Sequence, residues 1–355
     1  MRALRFHAAH DIRIEEVAEP PAPGPGEVVV RVVTCGICGT DLHEYMAGPI
    51  VTPVEPHPLN GAQNPQILGH EFAGDVLATG PGVTRVGEGY RVAVMPLAYC
   101  GHCAYCQRGL QHLCATMACV GLSHAWGGMA ALATVAEYQI VRLPEGVTHA
   151  QGALIEPTAV ALYGVDRAKV GGGTTVLITG AGPIGALAVL CAHAVGATRI
   201  FVSEPNANRR RHIERLGVAD RVIDPLSEDV IRILRDNTEE GVGVDSAIEC
   251  SGNEAALNTC IRAVRNRGTV AQVGLHVKKA LVDPALWTLK DITVEATWCY
   301  PVTMWPRVIS MIEKGKLPVE RIVTARIGAE DVVEKGFRTL LDPSGDQMKV
   351  MVSVA

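Results

Sequence analysis

Between Cys100 and Cys114 the chain reads C-G-H-C-A-Y-C-Q-R-G-L-Q-H-L-C, which places Cys100, Cys103, Cys106 and Cys114 at spacings of three, three and eight. Four thiolates so spaced can close a tetrahedron around zinc, and a complete shell of sulfur leaves no position for a substrate. The role expected of this metal is structural: it ties a core-poor loop to itself. Unrelated thiols and an iron–sulfur cluster are the rival readings; three ligands at x2 spacing with a fourth nearby favour zinc. Eleven cysteines in a chain of 355 residues would be an odd disulfide framework in a reducing compartment, which also favours metal ligands or catalytic groups.

A second metal site has to be assembled from distant segments. Its candidates are Cys38 in C-G-I-C-G-T-D-L-H, His70 in L-G-H-E-F-A-G and Glu156 in L-I-E-P-T-A-V. Each residue alone is more often a core or surface residue than a ligand. Together they offer thiolate, imidazole and carboxylate, about three protein ligands with one position left open, as a catalytic zinc requires. Asp41 is placed to hydrogen-bond a ligating imidazole, and Thr40 with His43 could pass a proton outward. Lewis-acid coordination can bring a hydroxyl from a pKa of about 16 toward about 7, so an alcohol becomes a hydride donor near neutrality.

That hydride needs an acceptor. The segment T-V-L-I-T-G-A-G-P-I-G sets Gly180, Gly182, Pro183, Ile184 and Gly185 after an apolar strand and at the opening of a helical run. Glycines there permit a tight turn and close approach, and the helix N-terminus faces a pyrophosphate. Glu204 follows Gly185 by nineteen residues, at the end of the next apolar strand. A carboxylate at that point can hold the ribose hydroxyls and repel a 2′-phosphate, so NAD is expected rather than NADP. Against this stands the run Arg209 to Arg211, where Arg209 is a candidate cofactor contact and a solvated helix face is the alternative.

The elements that must position these groups fall into two textures. The first hundred residues read as short strands, such as 28–33 and 74–76, broken by the P-P-A-P-G-P-G run at Pro20 to Gly26. From about Thr174 apolar strands alternate with helical patterns, at 175–179, 199–203, 245–249 and 269–273, which implies a parallel sheet with crossover helices. Beyond Asp291 come a strand-like 292–297, a helical 303–314 and a strand-like 349–354. At roughly 150 residues per domain the length suggests two folding units. A hydrophobic fraction of 48% with 37 glycines and only 4% aromatics fits buried Val, Ile and Ala strands.

A net charge of −5 with scattered Lys and Arg excludes a footprint for nucleic acid or anionic membrane. No segment reaches the ~20 apolar residues of a bilayer span. The N-terminal stretch lacks the apolar core of a signal peptide, so a cytoplasmic location is expected.

These motifs carry a resemblance. C-G-I-C-G-T-D-L-H, G-H-E, the four-cysteine lobe and G-A-G-P-I-G resemble the zinc-containing medium-chain dehydrogenases over essentially the whole chain. G-P-I-V-T-P-V-E-P-H-P-L-N-G and V-S-E-P are similar to the sorbitol and 2,3-butanediol branch, the butanediol (diacetyl/acetoin) enzymes in particular. The resemblance implies an α/β chain with a mainly β, GroES-like catalytic domain at 1–155 and 295–355 and a Rossmann domain at 156–294. It implies two zinc ions per chain, NAD, a small alcohol or diol substrate and a homo-oligomer, dimer or tetramer, formed through the Rossmann unit. It implies reversible oxidation of a secondary alcohol or vicinal diol to the ketone, with polyol and L-threonine 3-dehydrogenases as alternatives on the same scaffold. Glu156 stands where this branch replaces a cysteine ligand by glutamate, and Glu71 is similar to a residue that can exchange with that ligand, so both are candidates. Two segments depart from the butanediol pattern, S-H-A-W-G-G-M-A-A-L-A-T-V-A-E-Y and W-C-Y-P-V-T-M-W, and both are expected near the substrate pocket. A catalytically inactive dinucleotide-binding zinc protein is the non-enzyme alternative; the joint presence of Cys38, Thr40, His43, His70 and Glu156 argues against it.

Overall fold

Val28, Val30 and Val32 of the strand Glu27–Gly36 are fully buried, and with Val29, Thr34 and Cys35 also buried the strand is covered on both faces over most of its length. This strand runs through the middle of a seven-stranded sheet. On one side it pairs antiparallel with Glu71–Thr79, which pairs with Arg91–Val94 and then Ile140–Arg142; on the other it pairs antiparallel with Lys349–Ser353, next to Val323–Gly328. Leu132–Ala136 pairs with its first half. Phe72, Val76, Val92, Val94, Val350 and Val352 complete the core beside it. A three-stranded sheet of Asp11–Glu16, Arg2–Ala8 and Gln66–Ile67 lies in the same unit.

The computed structural model describes residues 1–354, which cluster into two units. The first holds Met1–Glu156, Pro301–Glu313 and the segment from Val323 onward; the second holds Pro157–Tyr300 and Lys314–Ile322. The return of 314–322 to the second unit is indicated neither by the strand and helix alternation nor by the resemblance.

The second unit is a six-stranded parallel sheet. Its order is Arg221–Ile223, Arg199–Ser203, Thr175–Thr179, Val244–Glu249, Val264–Gln272 and Thr293–Ala296. The chain starts in the middle, works to one edge and returns to work to the other, the doubly wound order with a switch point between 175–179 and 244–249. The fold is thus α/β, a GroES-like domain with a Rossmann-type sheet. Strands 175–179 and 199–203 have the expected bounds. The edge strand Arg221–Ile223 is missing from the sequence reading because three residues, one of them exposed, carry no periodicity. The helix Pro183–Ala194 is buried from Gly185 to Ala192, so it packs under the sheet almost all round rather than on one stripe. Among the described residues no helix is long and apolar enough to cross a membrane.

Candidate active site and nucleotide-binding loop

Cys38 is the N-cap of the helix Gly39–Ala47, where the positive end of the helix favours a thiolate. The Cys38 backbone N–H donates to Asp41 Oδ2 at 2.9 Å, so one carboxylate oxygen of the wholly buried Asp41 closes the helix start. Its other oxygen lies 3.6 Å from His70 Nδ1. At that distance the two make an ion-pair contact rather than a hydrogen bond, and it places Asp41 to steer the imidazole. The remaining acid of the helix, Glu44, is also fully buried; it accepts from the backbone N–H of Val51 at 2.6 Å and from the Thr52 hydroxyl at 2.7 Å, fixing the loop after the helix.

His70 and Glu71 stand at the start of the strand Glu71–Thr79, 5% and 1% exposed. One ligand atom each of Cys38, His70 and Glu71 lies within 4.8 Å of the others. Burial alone would push the His70 imidazole down, but Cys38 and then Asp41 reverse this and hold it well above its usual value. A pocket of buried anionic donors with orphaned atoms at Asp41 Oδ1 and Glu71 Oε1 has the chemistry of a cation site, and the three donor types are those zinc takes. Glu156, in the first turn of the helix Ile155–Arg167, is buried but falls outside this group of three.

Thr40 lies in the first turn of the Gly39–Ala47 helix with its hydroxyl 3.8 Å from the Cys38 sulfur, and His43 stands about one turn on, exposed to solvent. The two are not joined by a hydrogen bond, so a proton passing between them needs an intervening hydroxyl or water.

Sequence reasoning misses two residues here. Lys349, 1% exposed, donates from Nζ to the Ile37 carbonyl at 2.9 Å and is ion-paired with Glu71 Oε2. Burial would lower its ammonium, yet Glu71 first and Cys38 next raise it above the usual lysine range. The signal was a single lysine in the otherwise apolar strand K-V-M-V-S. Cys119 is the other: burial, together with Glu156, Asp41 and Cys38, pushes its thiol up to about 12, so it stays a neutral wall beside the site. No spacing marked it out.

The four sulfurs of Cys100, Cys103, Cys106 and Cys114 also lie within 4.8 Å of one another. Leu97–Ala98 and Ala118–Cys119 form a two-stranded clasp at the root of this lobe. Backbone N–H groups already serve the sulfurs: Cys100 donates to Cys114 Sγ and Cys103 to Cys100 Sγ, each at 3.3 Å. The backbone N–H groups of Cys106 and Ala115 pull the Cys103 thiol down to about 6, whereas burial drives Cys106 up to about 12. The lobe therefore presents a thiolate before all four protons have left, and a dication would release the rest.

In the second unit, Gly180 takes a φ of 84°, in the left-handed region, to turn the chain out of Thr175–Thr179. Gly185 lies against the Gly180 carbonyl, where a Cβ would overlap it, while Gly182, the N-cap of Pro183–Ala194, has nothing within 4 Å of the place a Cβ would occupy. Pro183 and Ile184 open that helix. The pattern is close strand-to-helix packing on one side and open space at the helix N-terminus on the other, which suits a pyrophosphate. Glu204, 3% exposed, accepts from Ala181 N–H at 2.6 Å and from Asn206 N–H at 2.8 Å. Arg209 is exposed; it is Arg210 that packs beside the strand end, donating to the carbonyls of Glu204 and Pro205 and pairing with Asp224 at 2.9 Å.

Comparison with known proteins agrees with this geometry. Residues 24–145 match the alcohol dehydrogenase GroES-like domain, and residues 183–314 match the zinc-binding dehydrogenases. The chain is 37% identical to the (R,R)-butanediol dehydrogenase of Bacillus subtilis, with 99% of each covered. It is 36% identical to the L-threonine 3-dehydrogenase of Pyrococcus abyssi, over 95% of this chain and 94% of that one. The crystal structure of 2R,3R-butanediol dehydrogenase from Bacillus subtilis superposes with a TM-score of 0.92 at 36% identity, covering 99% of both chains.

Proposed function

The chain belongs to the zinc-containing alcohol dehydrogenase family, and we propose that within it this protein oxidises a secondary alcohol, a vicinal diol of the 2,3-butanediol and acetoin type, reversibly to the ketone with NAD. The observation that carries the reading is the convergence of Cys38, His70 and Glu71 on one buried point beside Thr40, in a chain similar to butanediol dehydrogenases from end to end.

Cys38, His70 and one carboxylate would hold the catalytic zinc. Glu71 is the better placed carboxylate, and Glu156, buried and close enough to Cys119 to raise its thiol, is the alternative. Cys100, Cys103, Cys106 and Cys114 would hold the structural zinc. When bound, zinc supplies Lewis-acid polarisation that brings an alcohol's ionisation toward neutrality, and NAD supplies the hydride acceptor. The protein's own groups do the rest. Asp41 keeps the His70 ring in one orientation, Thr40 accepts a proton from the substrate hydroxyl as it donates its own onward through an intervening hydroxyl or water, and His43 delivers a proton to solvent. Gly180 to Gly185 seat the pyrophosphate, with Arg209 at the edge of the nucleotide site, and the Glu204 carboxylate takes the ribose hydroxyls and repels a 2′-phosphate. The protein would act as a homo-oligomer, dimer or tetramer; the exposed apolar Leu275, Val277, Leu281, Leu289 and Val294 of the nucleotide unit support association through that unit.

A second reading, L-threonine 3-dehydrogenase, is favoured by the 36% identity to the Pyrococcus abyssi enzyme. The segment that departs from the butanediol pattern bears on the choice, since Gly128 and Met129 donate to the carbonyls of Gly69 and Leu68, directly behind His70. The test is a panel of diols, polyols and amino alcohols assayed with NAD and with NADP. The highest kcat/KM is expected for 2,3-butanediol or acetoin with NAD. L-Threonine in first place would install the second reading, and a protein that reduces neither cofactor and retains one zinc per chain would be the inactive relic.

A further inference from the structure

Lys349 touches both segments that carry the candidate zinc ligands. Its Nζ reaches the carbonyl of Ile37, the neighbour of Cys38, and the side chain of Glu71, the neighbour of His70. It does so from the strand Lys349–Ser353, whose antiparallel partner is the Cys38 end of Glu27–Gly36, with Met351 opposite Gly36. Gly36 makes the room: a Cβ there would overlap Glu71 Oε2 and come within 3.0 Å of Lys349 Cε.

A buried ion pair is a poor way to stabilise a sheet, because desolvating both charges offsets most of their attraction and an apolar pair of the same volume would pack as well. The division of labour on Glu71 is more telling. Lys349 holds Oε2, whereas Oε1 is buried without any hydrogen-bond partner.

We propose that Lys349 is a positioning residue which occupies Oε2 of Glu71, so that the carboxylate turns only Oε1 toward the Cys38 and His70 site and binds zinc through one oxygen. The position that a second carboxylate oxygen would fill is thereby kept for substrate. This rests on the zinc reading above.

The experiment uses purified, zinc-loaded protein and a second sample reconstituted with cobalt(II). Zinc per chain is measured, then the rate of zinc transfer to excess 4-(2-pyridylazo)resorcinol; the phase abolished by Cys38→Ser belongs to this site. In Lys349→Met the freed Glu71 binds with both oxygens. Release in that phase should slow about tenfold, opposite in sign to the loss of affinity that removing an outer partner of a metal ligand usually causes, and the visible cobalt bands should weaken as coordination number rises. Lys349→Arg, which keeps a cation on Oε2, should restore wild-type release, and Glu71→Gln added to Lys349→Met should remove the slowing. If Lys349→Met fails to fold, Lys349→Leu carries the same expectation, since it too leaves nothing to donate to Oε2. Unchanged or faster release with an unchanged cobalt spectrum would overturn the proposal, leaving the lysine a structural residue. Wild-type protein with one zinc per chain, or a Cys38→Ser protein with both phases intact, would instead overturn the zinc reading.

Discussion

In the four-cysteine lobe every sulfur comes from residues 100–114, and the loop needs only its short clasp at 97–98 and 118–119 to close. The other centre draws Cys38 from a helix start, His70 and Glu71 from a strand start and Lys349 from a strand in a different part of the chain. The lobe makes its own shape once a metal joins four thiolates. The Cys38 centre has its shape imposed by a seven-stranded sheet, and its buried acids are held by protein partners, Asp41 by the Cys38 N–H and Glu71 by Lys349, whether or not anything binds. A shell of four sulfurs is complete; a shell of sulfur, imidazole and a half-occupied carboxylate is not. Locality goes with stability here, and remoteness with chemistry.

Exchanging one sulfur for oxygen in each centre puts that contrast at risk most directly. Cys38→Ser should lower turnover by about 10³-fold, the several kcal/mol a Lewis acid contributes to a transition state, with one zinc lost and the melting temperature little changed. Cys103→Ser should do the reverse: one zinc lost and about 2–3 kcal/mol of stability, roughly 5–10 °C in a unit of this size, while the surviving folded protein keeps its KM. Metal analysis, calorimetry and steady-state kinetics on both variants check this. A Cys103→Ser enzyme fully folded but selectively slow would dissolve the distinction.

Within the Cys38 centre the same contrast predicts a gradient along the Gly39–Ala47 helix. Thr40→Ala, which removes the hydroxyl beside the sulfur, should cost about 10²-fold in kcat. The exposed His43 should matter less: His43→Gln should slow oxidation chiefly at low pH, by up to about tenfold, and added imidazole should restore part of it. An unchanged pH profile with no response to imidazole would make His43 a bystander.

The smallest effect belongs to the nucleotide loop, which is local like the lobe but open like the centre. Glu204→Ser should shift the kcat/KM ratio of NAD to NADP by about tenfold toward NADP, as repulsion of the 2′-phosphate disappears. It should also raise KM for NAD, because the Ala181 N–H loses its acceptor. Wild-type enzyme that prefers NADP at equal concentration would remove the premise.

Legibility followed the same division. The lobe and the G-A-G-P-I-G loop could be read directly because their ligands and turns are encoded within a few residues, and the strands at 175–179 and 199–203 announce themselves as apolar runs between helical patterns. Cys38 and His70 are candidates only beside the four-cysteine lobe, since each alone is more often a core or surface residue. Glu71 and Glu156 could not be ranked, since their order depends on the length and direction of two elements, and only the fold brings Glu71 into the group. A lysine beside Val and Met residues marks position 349, but its partners lie 278 and 312 positions away in sequence, and no periodicity reports a contact at that range. Arg209 was read from a run of three arginines, and helix geometry picks Arg210 as the one packed against the strand end.

Those separations have a temporal side. A ribosome adding about 5–20 residues per second delivers the four lobe cysteines within about 1–3 s of one another, but Lys349 only about 15–60 s after Cys38. For that interval the nascent chain holds Glu71 with neither its lysine nor the strand that carries it, and both carboxylate oxygens are open to whatever cation arrives first. The lobe can be metallated once residue 114 has been added, whereas the chemical centre takes its final coordination only after residue 349.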